Sequence, residues 1–179
     1  MEEFKDDIEL VKSNINSYPD FPKSGILFRD IFSIFNNPKA AKVLDSVLLR
    51  YVKKIVPQTD VVVALESRGF LFGPTLALEM GVPFVPVRKK GKLPGIVYQK
   101  SYALEYGTDI LEIQASSIQR GQKVLIVDDL IATGGTLEAS CQLVRQCGGE
   151  VLQCLVVMEL QDLKGKEKVS AQVESFIKF

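Results

Sequence analysis

Four short apolar runs, each too brief for a helix, constrain the fold of this chain more than any other feature. Val61-Val62-Val63-Ala64-Leu65 is wholly apolar and rich in β-branched residues, as a strand buried on both faces requires. Phe84-Val85-Pro86-Val87-Arg88, Lys123-Val124-Leu125-Ile126-Val127 and residues 151–158 repeat the pattern. Helix-length stretches lie between them. The polar turn Glu66-Ser67-Arg68-Gly69 leads into a predicted helix through about Met80, ended by Gly81 and Pro83. Another helix is expected over about 136–147, stopped by Gly148-Gly149. Strands alternating with helices predict βαβ units: an α/β fold with a central, mainly parallel sheet flanked by helices.

The ends of the chain follow other rhythms. Phe4, Ile8, Val11 and Ile15 recur at helical spacing and predict an amphipathic helix that stops before Pro19-Asp20-Phe21-Pro22. An irregular arm then runs to Asp30, with a short extended piece at Ile26-Leu27-Phe28. Asn37-Pro38 reads as a helix cap followed by proline at the first helical position. Ala41, Leu44, Leu48, Tyr51 and Ile55 would form the inner face of that helix. After Lys89 the α/β rhythm breaks: a loop, then two antiparallel strands near 97–104 and 109–113, turned by Gly107-Thr108-Asp109. An excursion this long suggests a flap over a site, at about 95–113. Residues 174–179 read as a last short strand. At 179 residues the expectation is a single domain over 1–179, with an N-terminal helix and arm at about 1–36.

Composition excludes several chemistries. There is no histidine, hence no Ser-His-Asp or Cys-His nucleophile and no His-ligated zinc. Cys141, Cys147 and Cys154 form no C-x-x-C pair and read as reduced thiols. Twenty-two Lys and Arg balance twenty-two Asp and Glu, so no global field draws the chain to nucleic acid or anionic lipid. The acidic start lacks the apolar core of a signal peptide, and no run is long enough to span a membrane. A cytoplasmic location is expected.

The strongest chemical signal is Val124-Leu125-Ile126-Val127-Asp128-Asp129-Leu130-Ile131-Ala132-Thr133-Gly134-Gly135-Thr136. A buried strand ends in two carboxylates, and a small turn then opens a helix, at the strand end where α/β sheets bind ligands. Gly134 and Gly135 let backbone N–H groups approach an anion, Thr133 and Thr136 add hydroxyls, and the helix N-terminus favours negative charge. This is a phosphate cradle. Asp128 and Asp129 suit sugar hydroxyls or hydrated magnesium. The plainer alternative is a capped helix, but one Asp would suffice for that. Neither a Walker loop nor a G-x-G-x-x-G turn is present.

This segment resembles the phosphoribosyl-diphosphate signature of the type I phosphoribosyltransferase family. Further stretches resemble its adenine-using members: residues 66–74, 88–95 and 102–107, the arm with Pro19-Asp20-Phe21-Pro22 and residues 25–30, and Glu159-Leu160 with Leu163-Lys164-Gly165. The resemblance runs in order from about residue 18 to 168. It implies the type I fold with a flexible β flap and a small N-terminal hood, and a homodimer. It also implies a reaction: ribose 5-phosphate passes from 5-phosphoribosyl 1-diphosphate to adenine with magnesium, giving AMP and pyrophosphate in purine salvage.

Site roles follow from the same resemblance. Ala132, Thr133, Gly134, Gly135 and Thr136 would hold the 5-phosphate, with Asp128 and Asp129 beside it and magnesium indirectly near them. Ser67, Arg68, Gly69, Arg88 and Lys89 would face pyrophosphate, and the turn would carry a cis peptide between Glu66 and Ser67. Part of the basic loop would reach the neighbouring subunit's site. Glu105 would manage a proton on the purine while Tyr106 helps close the flap. Leu27 and Arg29 would read adenine through their backbones, with Phe28 and Leu160 sandwiching the ring.

Structural alternatives stand beside these roles: a surface ion pair for Arg68, a solvated loop for Arg88-Lys89-Lys90-Gly91-Lys92, an exposed strand residue for Glu105, a core aromatic for Phe28. Two other functions also remain open. One is the same fold acting on another base; the other is a non-catalytic nucleotide-sensing domain.

Overall fold

Competition for one carbonyl decides where the first helix ends. The computed structural model describes residues 2–103 and 108–179. Within them, α1 spans Lys5–Lys12, with Phe4 and Val11 buried. Ser13 Oγ and Asn14 Nδ2 both donate to the Leu10 carbonyl at 2.8 Å, offering the backbone a way out of the helix. The predicted continuation past Ile15 therefore fails. Instead Asn16–Pro19 forms β1, which pairs antiparallel with β2, Leu27–Asp30. α2, Pro38–Ile55, starts as expected: Asn37 Oδ1 accepts the Lys39 and Ala40 N–H groups at 3.1 and 3.4 Å. Its buried stripe runs through Ala40, Leu44, Leu48 and Tyr51. Ala41 is only half-buried and Ile55 is exposed, because Val52 and Val56 take the buried places near the helix end.

The chain divides into two compact units, Met1–Val52 and Lys53–Phe179. The second holds the sheet. β3 (Val61–Leu65) is buried at every position and lies parallel to β4 (Phe84–Lys89), with α3 (Gly73–Met80) between them in sequence. β5 (Val97–Ala103) and β6 (Thr108–Gln114) form an antiparallel hairpin. β7 (Lys123–Ile131), α4 (Gly135–Gln146), β8 (Glu150–Glu159) and β9 (Val173–Lys178) complete the unit. The seven-stranded order is β5-β6-β4-β3-β7-β8-β9, parallel from β4 to β9, which bears out the α/β expectation. Among the described residues no helix is long and apolar enough to cross a membrane.

Three details depart from the sequence reading. The helix expected straight after Gly69 is preceded by a 3-10 turn, Arg68–Leu71, before α3 begins. β7 does not end at the two carboxylates but runs on to Ile131, because β8 supplies partners as far as Glu159. The flap is no separate excursion: β6 pairs with β4 through Arg88↔Glu112 and Lys89↔Leu111, extending the sheet. Leu111, Glu112 and Ile113 root it in the interior. Thr108 and Asp109 are strand residues, while the rest of the expected turn lies outside the described residues.

At the far end of β8, Glu159 ties the following segment to β9. It pairs with Lys166 at 2.8 Å and accepts from Ser175. Burial alone would raise the Glu159 carboxyl, but the Lys166 and Ser175 hydrogen bonds outweigh it and hold it below the ordinary 4.5.

Two stability measurements follow. A Cβ on Gly73 would meet the Ala64 Cβ at 2.5 Å and the Phe84 ring at 3.1 Å. Gly73→Ala should therefore lower stability by about 1–3 kcal/mol in a urea melt, the usual cost of overpacking. For Glu159, a lowered folded value means stabilisation that is complete above pH 4.5 and lost as pH falls through that lower value. Glu159→Gln should cost on the order of 1 kcal/mol at pH 7, with the gap to wild type closing in melts run progressively below pH 4.5.

Candidate active site

The C-terminal ends of β3 and β7 are neighbours, since Val61–Ala64 pair with Val124–Val127. Each strand delivers a turn to the same place. After β3 the Glu66–Ser67 peptide is cis, as the sequence reading expected. Gly69 then packs on β7: a Cβ there would lie 2.8 Å from the Val127 carbonyl oxygen and 3.2 Å from Asp128 Oδ1. That approach lets Arg68 Nε pair with Asp129 Oδ2 at 2.9 Å, joining the two turns. Both carboxylates of β7 are buried, and Asp128 Oδ1 accepts the Asp129 N–H at 2.9 Å. Burial pushes the Asp128 carboxyl up, and the adjacent Asp129 charge adds to it. Burial also raises Asp129, against the opposing pull of the Arg68 guanidinium.

Beyond β7 a tight turn opens α4, at the place where the sequence suggests a phosphate cradle. Gly134 is buried in the left-handed region at φ +82°, and a side chain there would fall on the Gly165 carbonyl oxygen. Gly165 in turn packs against Ala132. Two backbones thus meet where only hydrogens fit, and the Glu159–Lys166 pair braces the outer one. α4 opens at Gly135, so the N–H groups of its first turn lack helical partners. Thr133 is exposed and Thr136 half-buried beside them. The turn, the carboxylates and the cradle line one cleft of about 260 Å³, together with Glu66 and Tyr102.

Tyr102 on β5 was not singled out from the sequence. Its hydroxyl lies 3.5 Å from Asp109 Oδ2, and the side chain lines the cleft together with Thr136, so the hairpin reaches the cradle. The basic run is also more committed than its sequence suggested. Arg88 Nε pairs with Glu66 Oε2 at 2.6 Å, and Lys89 Nζ pairs with Asp109 Oδ2 at 3.0 Å. That second contact holds the Lys89 ammonium above its ordinary value. Lys90 and Lys92 are exposed. The sequence does not show the partners of Glu66 and Asp109, because each ion pair forms across the fold.

Leu160 sits half-buried just past β8, its N–H bonded to the Ile131 carbonyl at 3.0 Å. Leu27, Phe28 and Arg29 belong to β2 in the first unit. There Phe28 meets Phe21 edge-on at 5.1 Å and borders a hollow of about 600 Å³ with Tyr18, Asp20 and Asp30. Phe28 is half-buried rather than a sealed core aromatic, Leu27 is exposed, and Arg29 donates to the Ser17 hydroxyl at 2.6 Å. Glu105 and Tyr106 lie outside the described residues.

The chain is similar to known proteins over nearly its whole length. A family model described as phosphoribosyl transferase domain matches residues 31–178. An adenine phosphoribosyltransferase of Drosophila pseudoobscura pseudoobscura is 53% identical over 175 residues, covering 98% of this chain and 97% of that one. The crystal structure of the Saccharomyces cerevisiae adenine phosphoribosyltransferase, complexed with D-2,5-dideoxy-2,5-imino-altritol 1,6-bisphosphate and adenine, superposes with a TM-score of 0.93. It is 46% identical, over 96% of this chain and 99% of that one. The Trypanosoma brucei adenine phosphoribosyl transferase, in complex with AMP, pyrophosphate and ribose-5-phosphate, gives a TM-score of 0.87 at 26% identity. That match covers 96% of this chain and 79% of the other. Near-complete coverage at such identity, on a fold that brings the cradle and the Arg68 turn together, places the chain in the adenine phosphoribosyltransferase branch of the type I phosphoribosyltransferase family.

Proposed function

We propose that this chain transfers ribose 5-phosphate from 5-phosphoribosyl 1-diphosphate to adenine, releasing pyrophosphate and forming AMP. One observation carries the reading. A single cleft has a Gly/Thr cradle on the α4 N-terminus at one side, the Arg68 turn at the other, and Asp128 and Asp129 between them. That spacing suits a substrate with a phosphate at one end, a diphosphate at the other and sugar hydroxyls in the middle.

The donor's 5-phosphate is taken by the N–H groups over residues 132–136 and the Thr133 and Thr136 hydroxyls, where the helix dipole favours an anion. Asp128 and Asp129 accept from the ribose hydroxyls. The diphosphate meets Ser67, Arg68 and Gly69, with Arg88 and Lys89 from the neighbouring strand. In the reaction the bond from C1 to the diphosphate oxygen breaks, the purine nitrogen bonds to C1, and the purine gives up one proton. Arg68, Arg88 and Lys89 stabilise the negative charge that builds on the leaving group. Glu105 receives or relays the purine proton. The β5–β6 hairpin, whose Tyr102 lines the cleft, shields the activated sugar from water. In the first unit, Phe28 offers a ring face beside an apolar hollow, the chemistry needed to stack a flat base.

Magnesium fits this donor set as a substrate-borne ion. Asp128 and Asp129 are oxygen donors facing the cleft, and among the described residues no three side chains gather as a full ligand set. Magnesium keeps waters and binds through one or two carboxylates plus phosphate oxygens. When bound it would neutralise diphosphate charge.

Pyrophosphate release, measured with magnesium and phosphoribosyl diphosphate against adenine, hypoxanthine, guanine and uracil, tests the reading. Turnover should be confined to adenine; turnover with another base, or AMP binding with no turnover, would overturn it. Glu105→Gln should lower kcat by about 100-fold or more, within the range of general acid–base catalysis, while Michaelis constants move far less. An unchanged kcat would remove Glu105 from the chemistry.

A further inference from the structure

Glu112 is a carboxylate where the fold has no need of one. It lies on β6 between the buried Leu111 and Ile113, is itself 1% exposed, and belongs to no motif in the sequence. An apolar side chain of similar size would satisfy such a position, since buried charge is costly unless well bonded. Its bonds explain its presence. Oε1 accepts the N–H groups of Lys92 and Leu93, both at 2.8 Å, and Oε2 accepts the Gln99 amide at 3.2 Å. The Gly91 N–H also reaches it. Gly91 adopts φ +80°, which turns successive N–H groups of the loop toward one anion. Burial alone would raise this carboxyl, but those N–H groups outweigh it and hold it below the ordinary value.

The contacts lead toward the cleft. Glu112 is the cross-strand partner of Arg88. Glu112 holds the Leu93 N–H, while Arg88 Nη1 donates to the carbonyl of the same peptide, that of Lys92, at 3.3 Å. Arg88 Nε in turn pairs with Glu66, on the turn after β3. One peptide of the basic loop is therefore clamped from both ends, and the clamp holds a guanidinium whose partner, Glu66, lines the cleft.

We infer that Glu112 is a positioning residue for diphosphate: as an internal anion it folds the loop at 91–93 and so sets where Arg88 and Lys89 stand. This rests on the proposed diphosphate role of Arg88 and Lys89. Glu112 touches no substrate, and its effect passes through Lys92 to Arg88.

The full chain and its Glu112→Leu, Glu112→Asp and Glu112→Gln variants test the inference by calorimetric binding of magnesium pyrophosphate and of AMP, with KM for both substrates. AMP needs the cradle but not the diphosphate loop, so it reports whether the rest of the site is intact. Glu112→Leu should weaken pyrophosphate binding and raise KM for phosphoribosyl diphosphate by about 10- to 100-fold, the usual span for supporting-shell losses. AMP affinity and KM for adenine should stay within about twofold. Glu112→Gln keeps an acceptor oxygen at the loop and should restore most of the pyrophosphate affinity. Should Glu112→Leu not fold, Glu112→Asp carries the test: its carboxylate is withdrawn by one methylene, and pyrophosphate should weaken with AMP unchanged. Equal losses for AMP and pyrophosphate, no loss for either, or a Gln variant as weak as the Leu variant would overturn the inference. Binding is read without turnover, so a wild-type chain that fails to use adenine sinks the proposed function and leaves the Glu112 comparison legible.

Discussion

The pairing of Arg68 with Asp129 depends on a close approach that nothing but glycine allows. Gly69 lets the turn after β3 lie against β7, with the Val127 carbonyl and Asp128 where a side chain would otherwise stand. Parallel registry of the two strands brings their ends level, and the 2.9 Å ion pair then locks the turns together. Everything else in the cleft is referred to that junction. The cradle leaves β7 a few residues further on, Glu66 is the first residue of the cis peptide, and Arg88 reaches back to Glu66 from the next strand. Strand order, not loop sequence, makes a site from residues far apart in the chain.

What was legible in the sequence follows from what burial and backbone geometry impose. A strand covered on both faces needs an unbroken apolar run, so β3 and the first half of β7 declared themselves. A left-handed backbone position packed against another backbone needs glycine, so Gly134 did as well. The misses share a cause. β1 is exposed at all four positions and carries no alternation; only its partner β2 makes it a strand. Asp128 and Asp129 look like the end of a strand, yet β8 keeps pairing past them. Glu112 sits between buried apolar neighbours and looks like an outward-facing residue, because alternation reports the side of a sheet and not what covers it. Pairing and cover are nonlocal, and single-sequence periodicity is blind to both.

Charge balance explains how such a cleft can exist before any anion enters it. Arg68, Arg88 and Lys89 would repel one another if gathered bare at a half-buried edge. Each instead has a carboxylate within 3.0 Å: Asp129, Glu66 and Asp109. The pairs are unequal. Asp129 is nearly sealed from solvent, whereas Lys89 is 59% exposed, and screening makes the Lys89–Asp109 contact the weaker one. One of the three cations is therefore held against a sealed carboxylate and another against a solvent-exposed one. Asp109 belongs to the hairpin whose Tyr102 lies 3.5 Å from it and lines the cleft, so the Lys89 pair ties hairpin and basic loop together beside the site. Placing the screened pair at the edge of the sheet and the sealed pair on the central strands lets one network of charges hold the site in shape at unequal strength.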